Sequence, residues 1–185
     1  MTRTAPDKTP EPIAPLTDDV WPEEIAELRA GFAGALNVYR TMAHHPELLR
    51  AWAPLRQHLV KDSTLGAQNS EIVILRTGVR LGSSYEWAHH VSRARALGMG
   101  DDRIKAVLAT PEGEDALLVQ AVDAIIDHQK LPPALERRLA EVFGQKAVFD
   151  IIATVGFYTV LGTILMTYEV PLDDRIAREM EDNPL

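Results

Sequence analysis

The 185-residue chain contains no cysteine. This absence excludes disulfide bonds, thiolate metal sites, iron–sulfur clusters and thiol nucleophiles, because each of them needs a cysteine sulfur. Basic residues are also scarce: 19 lysines and arginines against 27 aspartates and glutamates give a net charge of -8. Since binding to a phosphate backbone needs a basic face, we expect no nucleic-acid partner. A cysteine-free acidic chain is typical of a cytoplasmic protein, and we expect that location.

The chain also lacks an apolar signal segment at its N-terminus, where four prolines fall within the first 15 residues. We expect residues 1–22 to form an extended arm, residues 23–170 a single domain and residues 171–185 a C-terminal tail. The stretch Ile151–Tyr168 carries no charge, but it holds two glycines and four threonines and has no basic flank. We interpret it as a buried core or subunit-interface helix rather than a membrane span.

Helical periodicity dominates the rest of the chain. Apolar residues recur every three or four positions, and no segment alternates with period two for long enough to form a strand. Prolines in first turns, glycines after last turns and hydroxyl N-caps indicate the helix boundaries. The predicted helices span residues 23–44, 46–61, 67–81, 83–97, 101–109, 112–128, 132–143 and 146–168. These patterns predict an all-α bundle of seven to eight helices that forms an oligomer.

The groups suited to proton transfer are concentrated on two successive helices in the middle of the chain. Glu86 and His90 are four residues apart and therefore share a helix face. Tyr85 and His89 share the adjacent face for the same reason. A short glycine turn lets the preceding helix fold back as an antiparallel hairpin, which brings Glu71 towards His90. Carboxylates, a phenol and imidazoles so placed are the components of general acid–base catalysis.

Two other interpretations of these residues are weaker. A Glu–His pair at this spacing is commonly a solvated ion pair, but the apolar run Ile72–Leu75 places Glu71 at the start of a buried helix. The segment Glu86-Trp-Ala-His89 is a Glu-x-x-His element of the kind found in di-iron bundles. Such bundles require a second element of this type, and the chain contains neither that nor a His-Glu-x-x-His motif. We therefore expect no metal.

The segment from about Thr41 to Ile104 resembles the carboxymuconolactone decarboxylase and alkylhydroperoxidase D superfamily. The hydroperoxidase branch carries a glutamate, a Cys-x-x-Cys motif and a histidine four residues after the second cysteine. Glu71 and His90 stand at the glutamate and histidine positions, whereas Ser83 and Glu86 stand at the cysteine positions. The runs Tyr-Glu-Trp-Ala-His-His-Val and Gly-Met-Gly-Asp-Asp-Arg-Ile resemble the cysteine-free, decarboxylase-like branch. The resemblance implies the helical bundle of that superfamily.

Chemistry separates the two branches. Neither Ser83 nor Glu86 can form a sulfenic acid or a disulfide, so thiol peroxidase activity is excluded. The resemblance to the decarboxylase-like branch implies a cofactor-free lyase that moves protons on a small lactone or keto acid. It also implies a homo-oligomer, either a trimer or a hexamer, with a small carboxylate as substrate. We expect no membrane partner.

We assign candidate roles to nine residues. The expected catalytic residues are His90, Glu86, Glu71 and Tyr85, and the expected substrate-binding residues are Ser83, Ser84, Trp87, His89 and Arg76. His90 is expected to transfer the proton, with Glu86 orienting it or sharing its proton and Glu71 as the second acid/base group. Tyr85 and a serine hydroxyl are expected to donate hydrogen bonds to the substrate. Arg76 is expected to pair with a substrate carboxylate or to serve a subunit contact.

Two alternatives stay open at this point. One is another small-acid lyase, isomerase or hydrolase. The other is a non-catalytic oligomeric protein in which Glu71, Glu86 and His90 form a structural polar network. Such a network would be satisfied internally and would leave no open cavity. A cavity that touches His90 would therefore favour catalysis.

Overall fold

The computed structural model describes residues 13–185, so most of the expected N-terminal arm, residues 1–12, lies outside the described residues. The described part contains ten α-helices and no strand, which confirms the all-α prediction. They are α1 (Ala26–Arg29), α2 (Asn37–Met42), α3 (Pro46–Gln57), α4 (Ala67–Leu81), α5 (Ser84–Ala96), α6 (Asp101–Ala106), α7 (Gly113–His128), α8 (Pro133–Phe143), α9 (Gln145–Thr167) and α10 (Asp174–Asp182). A single π-type turn, His58–Asp62, continues α3.

The prediction of one helix over residues 23–44 is wrong. The structure has only short segments there: α1, α2 and the two 3₁₀ turns Glu23–Ile25 and Ala33–Ala35. Gly34 permits the interruption, because a Cβ atom at this position would collide with the backbone oxygen of Arg29. Leu36 then adopts an extended conformation before α2 begins. The apolar residues of the predicted stripe still reach the core, since Ile25 and Tyr39 are buried.

The central helix boundaries agree with the local signals in the sequence. Pro46 occupies the first turn of α3. Gly82 ends α4 in the left-handed region, at a φ of 72°, which glycine adopts without strain. Ser83 caps α5, and its hydroxyl accepts a hydrogen bond from the backbone N–H of Glu86 at 3.4 Å. Gly144 likewise separates α8 from α9 with a φ of 90°.

The C-terminal region contains more structure than the expected tail. Residues 174–182 form α10, which packs against α5 and buries the side chain of Ile176. The hydroxyl of Ser92 also donates a hydrogen bond to Glu179 Oε2 at 2.7 Å. The helix predicted to end at Ala109 ends earlier, at Ala106. The division of the chain into arm, domain and tail stays a prediction.

Helices α4 and α9 form the centre of the bundle. Ile72, Val73 and Leu75 of α4 are fully buried, and α9 packs against α4, α7 and α8. By length and composition α9 is the one helix of the described residues that could cross a membrane, with a mean hydropathy of 1.9. However, 56% of its most apolar 18-residue window is buried inside the fold. This burial is typical of a core helix.

Candidate active site

A tight α4–α5 hairpin creates the site. Gly82 and Ser83 form the turn, so that the two helices run antiparallel and contact each other along their length. Gly78 allows their closest approach, because a Cβ atom added there would lie only 3.2 Å from the Cβ of Glu86. The missing side chain thus lets Glu86 enter the space between α4 and α5.

Glu71 is enclosed and fully engaged. Its side chain is only 1% exposed. One carboxylate oxygen, Oε2, lies 2.6 Å from His90 Nδ1, which brings together the two residues that the sequence predicted to meet. The other oxygen, Oε1, lies 2.7 Å from Nε of Arg93. Arg93 in turn donates to the backbone oxygen of Val60 at 3.2 Å. Both oxygens of Glu71 are therefore used by neighbours.

Glu86 is also buried, but only one of its two carboxylate oxygens has a partner among the described residues. Its Oε2 atom lies 3.4 Å from His90 Nε2, on the opposite side of the imidazole from Glu71. Its other oxygen, Oε1, is buried and has no hydrogen-bond partner within residues 13–185. A buried carboxylate oxygen without a partner is costly, and it calls for a proton or a ligand to complete it.

The two carboxylates determine the charge of His90. Burial by itself lowers the pKa of His90, but the negative charge and hydrogen bond of Glu71, together with those of Glu86, raise it to about 9. At neutral pH the ring is therefore an imidazolium, with both nitrogens acting as donors. The protonated ring therefore lies between two carboxylates. Both oxygens of Glu71 have partners, whereas one oxygen of Glu86 has none among the described residues.

A cavity of about 320 Å³ opens onto this arrangement. Its wall contains Glu86 and His90, and also His89 and Tyr158. Tyr158 contacts the imidazole edge-to-face, with 5.0 Å between the ring centroids. The remaining lining residues are Leu36, Val38, Tyr39, Arg56, Val60, Tyr85, Ser92, Arg93, Ala96, Leu161 and Arg175. The cavity is large enough for a small organic acid, and it lies against the histidine singled out by the sequence.

Tyr85 and His89 meet on a residue that the sequence did not indicate, Asp173. The Tyr85 hydroxyl donates to Asp173 Oδ2 at 2.6 Å and accepts from the backbone N–H of Val38 at 3.3 Å. His89 stacks on Tyr85, and its Nε2 atom lies 3.0 Å from the same carboxylate oxygen. Burial raises the pKa of Asp173, but the hydrogen bonds from His89 and Tyr85 lower it below its usual value overall. The Tyr85 hydroxyl is thus committed to Asp173.

Four expected substrate-binding residues do not line the cavity. Ser83 caps α5, and Ser84 is exposed at its first turn. Trp87 packs against the main apolar core. Arg76 faces α7, where its guanidinium forms two 2.8 Å contacts to Asp123. The placement of Arg76 does not support the expected substrate-carboxylate contact, because its charge is already paired on the far side of α4.

Several cavity residues were missed in the sequence. Tyr158 is part of an apolar helix and gives no local signal of a site. Tyr39 and Arg56 lie on α2 and α3, and their contact depends on how these short elements fold back. Burial raises the pKa of Tyr39 to about 12, so its hydroxyl stays protonated. Arg93 could have been found, because it is three residues from His90 on α5 and on the same face.

Comparisons with known proteins agree with this fold. Residues 46–127, which include the whole α4–α5 hairpin, match the model of the carboxymuconolactone decarboxylase family. An uncharacterised peroxidase-related protein from Ralstonia eutropha JMP134, described as an alkylhydroperoxidase AhpD core, has 19% identity and a TM-score of 0.72. It covers 90% of this chain and 96% of its own. The match over residues 46–127 and the shared fold support the superfamily that the sequence resembles.

Two further solved structures have the same fold. An uncharacterised peroxidase-related protein from Silicibacter sp. TM1040 is 14% identical, with a TM-score of 0.74 over 92% of this chain and 97% of its own. The debrominase Bmp8 is 14% identical, with a TM-score of 0.72 over 95% of this chain and 99% of its own. None of the curated proteins matches the chain. At these identities the structural likeness shows the fold alone.

Proposed function

We propose that this protein is a cofactor-free lyase that decarboxylates a small lactone or keto acid by proton transfer. One observation carries the proposal: an imidazolium, His90, stands between two buried carboxylates at the wall of a cavity of about 320 Å³. The absence of cysteine supports proton chemistry over thiol chemistry. The resemblance to the decarboxylase-like branch supports the choice of a carboxylate substrate.

The reaction needs one proton for each carbon dioxide released. The bond between the carboxylate carbon and its neighbour breaks, and its electron pair moves into the adjacent carbonyl or conjugated lactone. Carbon dioxide leaves, and the resulting enolate carbon takes a proton from the protein. A proton from solvent then restores the protein to its starting state. The protein therefore has to hold a proton beside the cavity and deliver it to carbon.

We assign this delivery to the His90–Glu86 pair. His90 Nε2 and Glu86 Oε2 are 3.4 Å apart, so one proton can be shared between them. Glu86 Oε1 has no competing partner in the described chain, which leaves it free to face the reacting carbon. Glu71 differs from our expectation of a second acid/base group, because His90 and Arg93 occupy both of its oxygens. We assign it the role of a positioning residue that acts through His90.

The alternative of a purely structural network fits part of this geometry. Glu71, His90 and Arg93 do satisfy one another internally. However, that alternative requires dense packing and full satisfaction, whereas His90 borders a cavity and Glu86 keeps an unpartnered oxygen. The cavity and the free oxygen favour catalysis.

The test is an activity screen with matched histidine variants. Purified protein is mixed with carboxymuconolactone and related lactone and β-keto acids, and carbon dioxide release and absorbance are followed. We expect turnover of at least one acid, and a loss of about 100-fold or more in kcat for His90→Gln. His128→Gln is the control, because His128 is an exposed histidine at the end of α7. Equal rates for His90→Gln and the wild type on every acid turned over would remove His90 from the mechanism. Products that retain the carboxylate would indicate an isomerase or hydrolase instead.

We also propose that the protein is a cytoplasmic homo-oligomer, a trimer or a hexamer. The outer face of α9 supports an interface between copies. Phe149, Ile152, Gly156, Val160 and Thr163 recur every three or four residues and are all exposed, so they form one continuous stripe. The side chains of Phe149 and Ile152 are large and apolar, with exposures of 66% and 45%. An uncovered apolar stripe of this kind is characteristic of a surface that meets another protein.

A further inference from the structure

We propose that Arg56 is a carboxylate-binding residue that selects substrates with a second carboxylate, one that is retained while the other leaves. This inference rests on the proposed function, because it concerns the same cavity. It assigns the cavity two ends: a proton-transfer end at Glu86 and His90, and an anion-binding end at Arg56.

Aromatic contacts hold the Arg56 guanidinium in place. Its Cζ atom lies 4.2 Å from the ring centroid of Phe32 and 5.4 Å from that of Tyr39. Its Nε donates to the Tyr39 hydroxyl at 3.1 Å. The two terminal nitrogens make no hydrogen bond within the part of the chain that the structure describes, and no carboxylate there lies within ion-pair distance. The group is therefore oriented but not neutralised.

The other two cavity arginines have carboxylate partners. Arg93 binds the buried Glu71 at 2.7 Å. Arg175 lies 3.1 Å from Glu179, and its side chain is 72% exposed. Among the described residues, Arg56 is thus the cavity guanidinium with an unused pair of terminal donors. A guanidinium presents these donors as a planar fork that matches the two oxygens of a carboxylate.

The bound carboxylate has to be one that the reaction keeps. A guanidinium that pairs with the departing carboxylate would stabilise a negative charge that decarboxylation removes, and it would raise the barrier. A guanidinium that pairs with a second carboxylate stabilises the ground state and the transition state equally. Such binding orients the substrate and lowers KM without opposing the chemistry. We infer that monoacids are poor substrates, because a carboxylate bound to Arg56 is not the one that leaves.

Benzoate and benzamide test the anion-binding end without any turnover. They have nearly the same shape and differ in charge, and their dissociation constants can be measured by ligand-observed NMR titration. We expect the wild type to bind benzoate about 10- to 100-fold more tightly than benzamide, as a charge-assisted bidentate contact provides. Arg56→Gln should remove this preference, and Arg56→Lys should keep only part of it. Arg175→Gln is the matched control, and it should change the preference by less than about twofold.

Three results would overturn the inference: equal binding of benzoate and benzamide to the wild type, a preference that survives in Arg56→Gln, or a preference lost in Arg175→Gln alone. Circular dichroism melting of each variant shows that the binding data come from folded protein, and Arg56→Lys retains the charge and stem if the glutamine variant unfolds. Failure of the proposed function is distinguishable, because it would leave Arg56-dependent benzoate binding intact while no acid releases carbon dioxide. Where an acid is turned over, Arg56→Gln should raise KM about 10- to 100-fold and change kcat far less.

Discussion

Replacing Glu71 with glutamine should destabilise the fold much more than the same replacement of Glu86. Both carboxylates are buried and both contact the same imidazole, so the two variants form a matched pair. Glu71 compensates His90 and Arg93 at 2.6 and 2.7 Å, and a neutral amide there leaves the buried His90 and the partly exposed Arg93 without their carboxylate partner. Glu86 has one oxygen without any partner in the described residues, and a neutral amide there removes a poorly compensated charge.

The pKa of His90 provides the magnitude. Its rise from 6.5 to about 9 corresponds to about 3 kcal/mol of stabilisation, since a tenfold change in the protonation equilibrium is worth about 1.4 kcal/mol. Burial opposes this rise, and the charge of Glu71 is its largest favourable cause. We therefore expect Glu71→Gln to lose about 3 to 5 kcal/mol of unfolding free energy at pH 6, the range found when a buried ion pair loses one partner. Glu86→Gln should lose no more than about 1 kcal/mol.

The sign of the pH dependence follows from the direction of the shift. The folded-state pKa of His90 is above the unfolded value, so the stabilisation is fully present below about pH 6.5 and is lost as the pH rises through about 9. Wild-type protein should therefore lose part of its unfolding free energy between about pH 6 and pH 9.5. In Glu71→Gln the pKa of His90 falls, and this part of the pH dependence should disappear.

Urea denaturation followed by far-ultraviolet circular dichroism measures both effects. The wild type and the two variants are unfolded at both pH values, and free energies are obtained by linear extrapolation. Equal losses of unfolding free energy in Glu71→Gln and Glu86→Gln would refute the idea that the fully paired Glu71 contributes more to stability than Glu86. A Glu71→Gln variant with the wild-type pH dependence would refute the assignment of the raised His90 pKa to Glu71.

Three further predictions concern the packing around the site. Gly78→Ala places a methyl group 3.2 Å from the Cβ of Glu86. We expect the variant to lose about 1 to 3 kcal/mol of stability in thermal melts and to have a lower kcat. A more stable variant would show that α4 and α5 can accommodate the methyl group. Arg76→Gln removes the two contacts with Asp123 and should lower stability by about 1 to 3 kcal/mol without changing KM. A raised KM would indicate that Arg76 does contact the substrate. Phe149→Glu should lower the mass measured by light scattering without loss of helix, and an unchanged mass would exclude the outer face of α9 as an interface.

The helices of the central part could be predicted because their signals are local. Proline cannot continue a preceding helical turn, and glycine after a last turn adopts a left-handed conformation, so Pro46 and Gly82 indicate boundaries at single positions. The region before Pro46 could not be predicted in the same way. Its apolar spacing is compatible with a continuous helix, and the interruption depends on the close approach of Gly34 to the backbone oxygen of Arg29.

The residues in and beside the site show the same contrast. Helix geometry alone places Glu86 and His90 on one face of α5, and the hairpin turn brings Glu71 to them. The contribution of Asp173 depends on α10 and the segment before it, which fold back onto α5 from 88 residues beyond Tyr85 in the sequence. No local pattern indicates such a contact.

The sequence by itself excluded thiol chemistry and placed Glu86 and His90 on one helix face, because the absence of every thiol and a four-residue spacing do not depend on how distant elements pack. Only the tertiary structure decided which oxygens and which guanidinium remain available. Arg93 pairs with Glu71, and Asp123 pairs with Arg76. Arg56 lines the cavity, and its terminal nitrogens have no partner among the described residues. Availability is a property of the partners around a group, and those partners come from helices that are far apart in the chain.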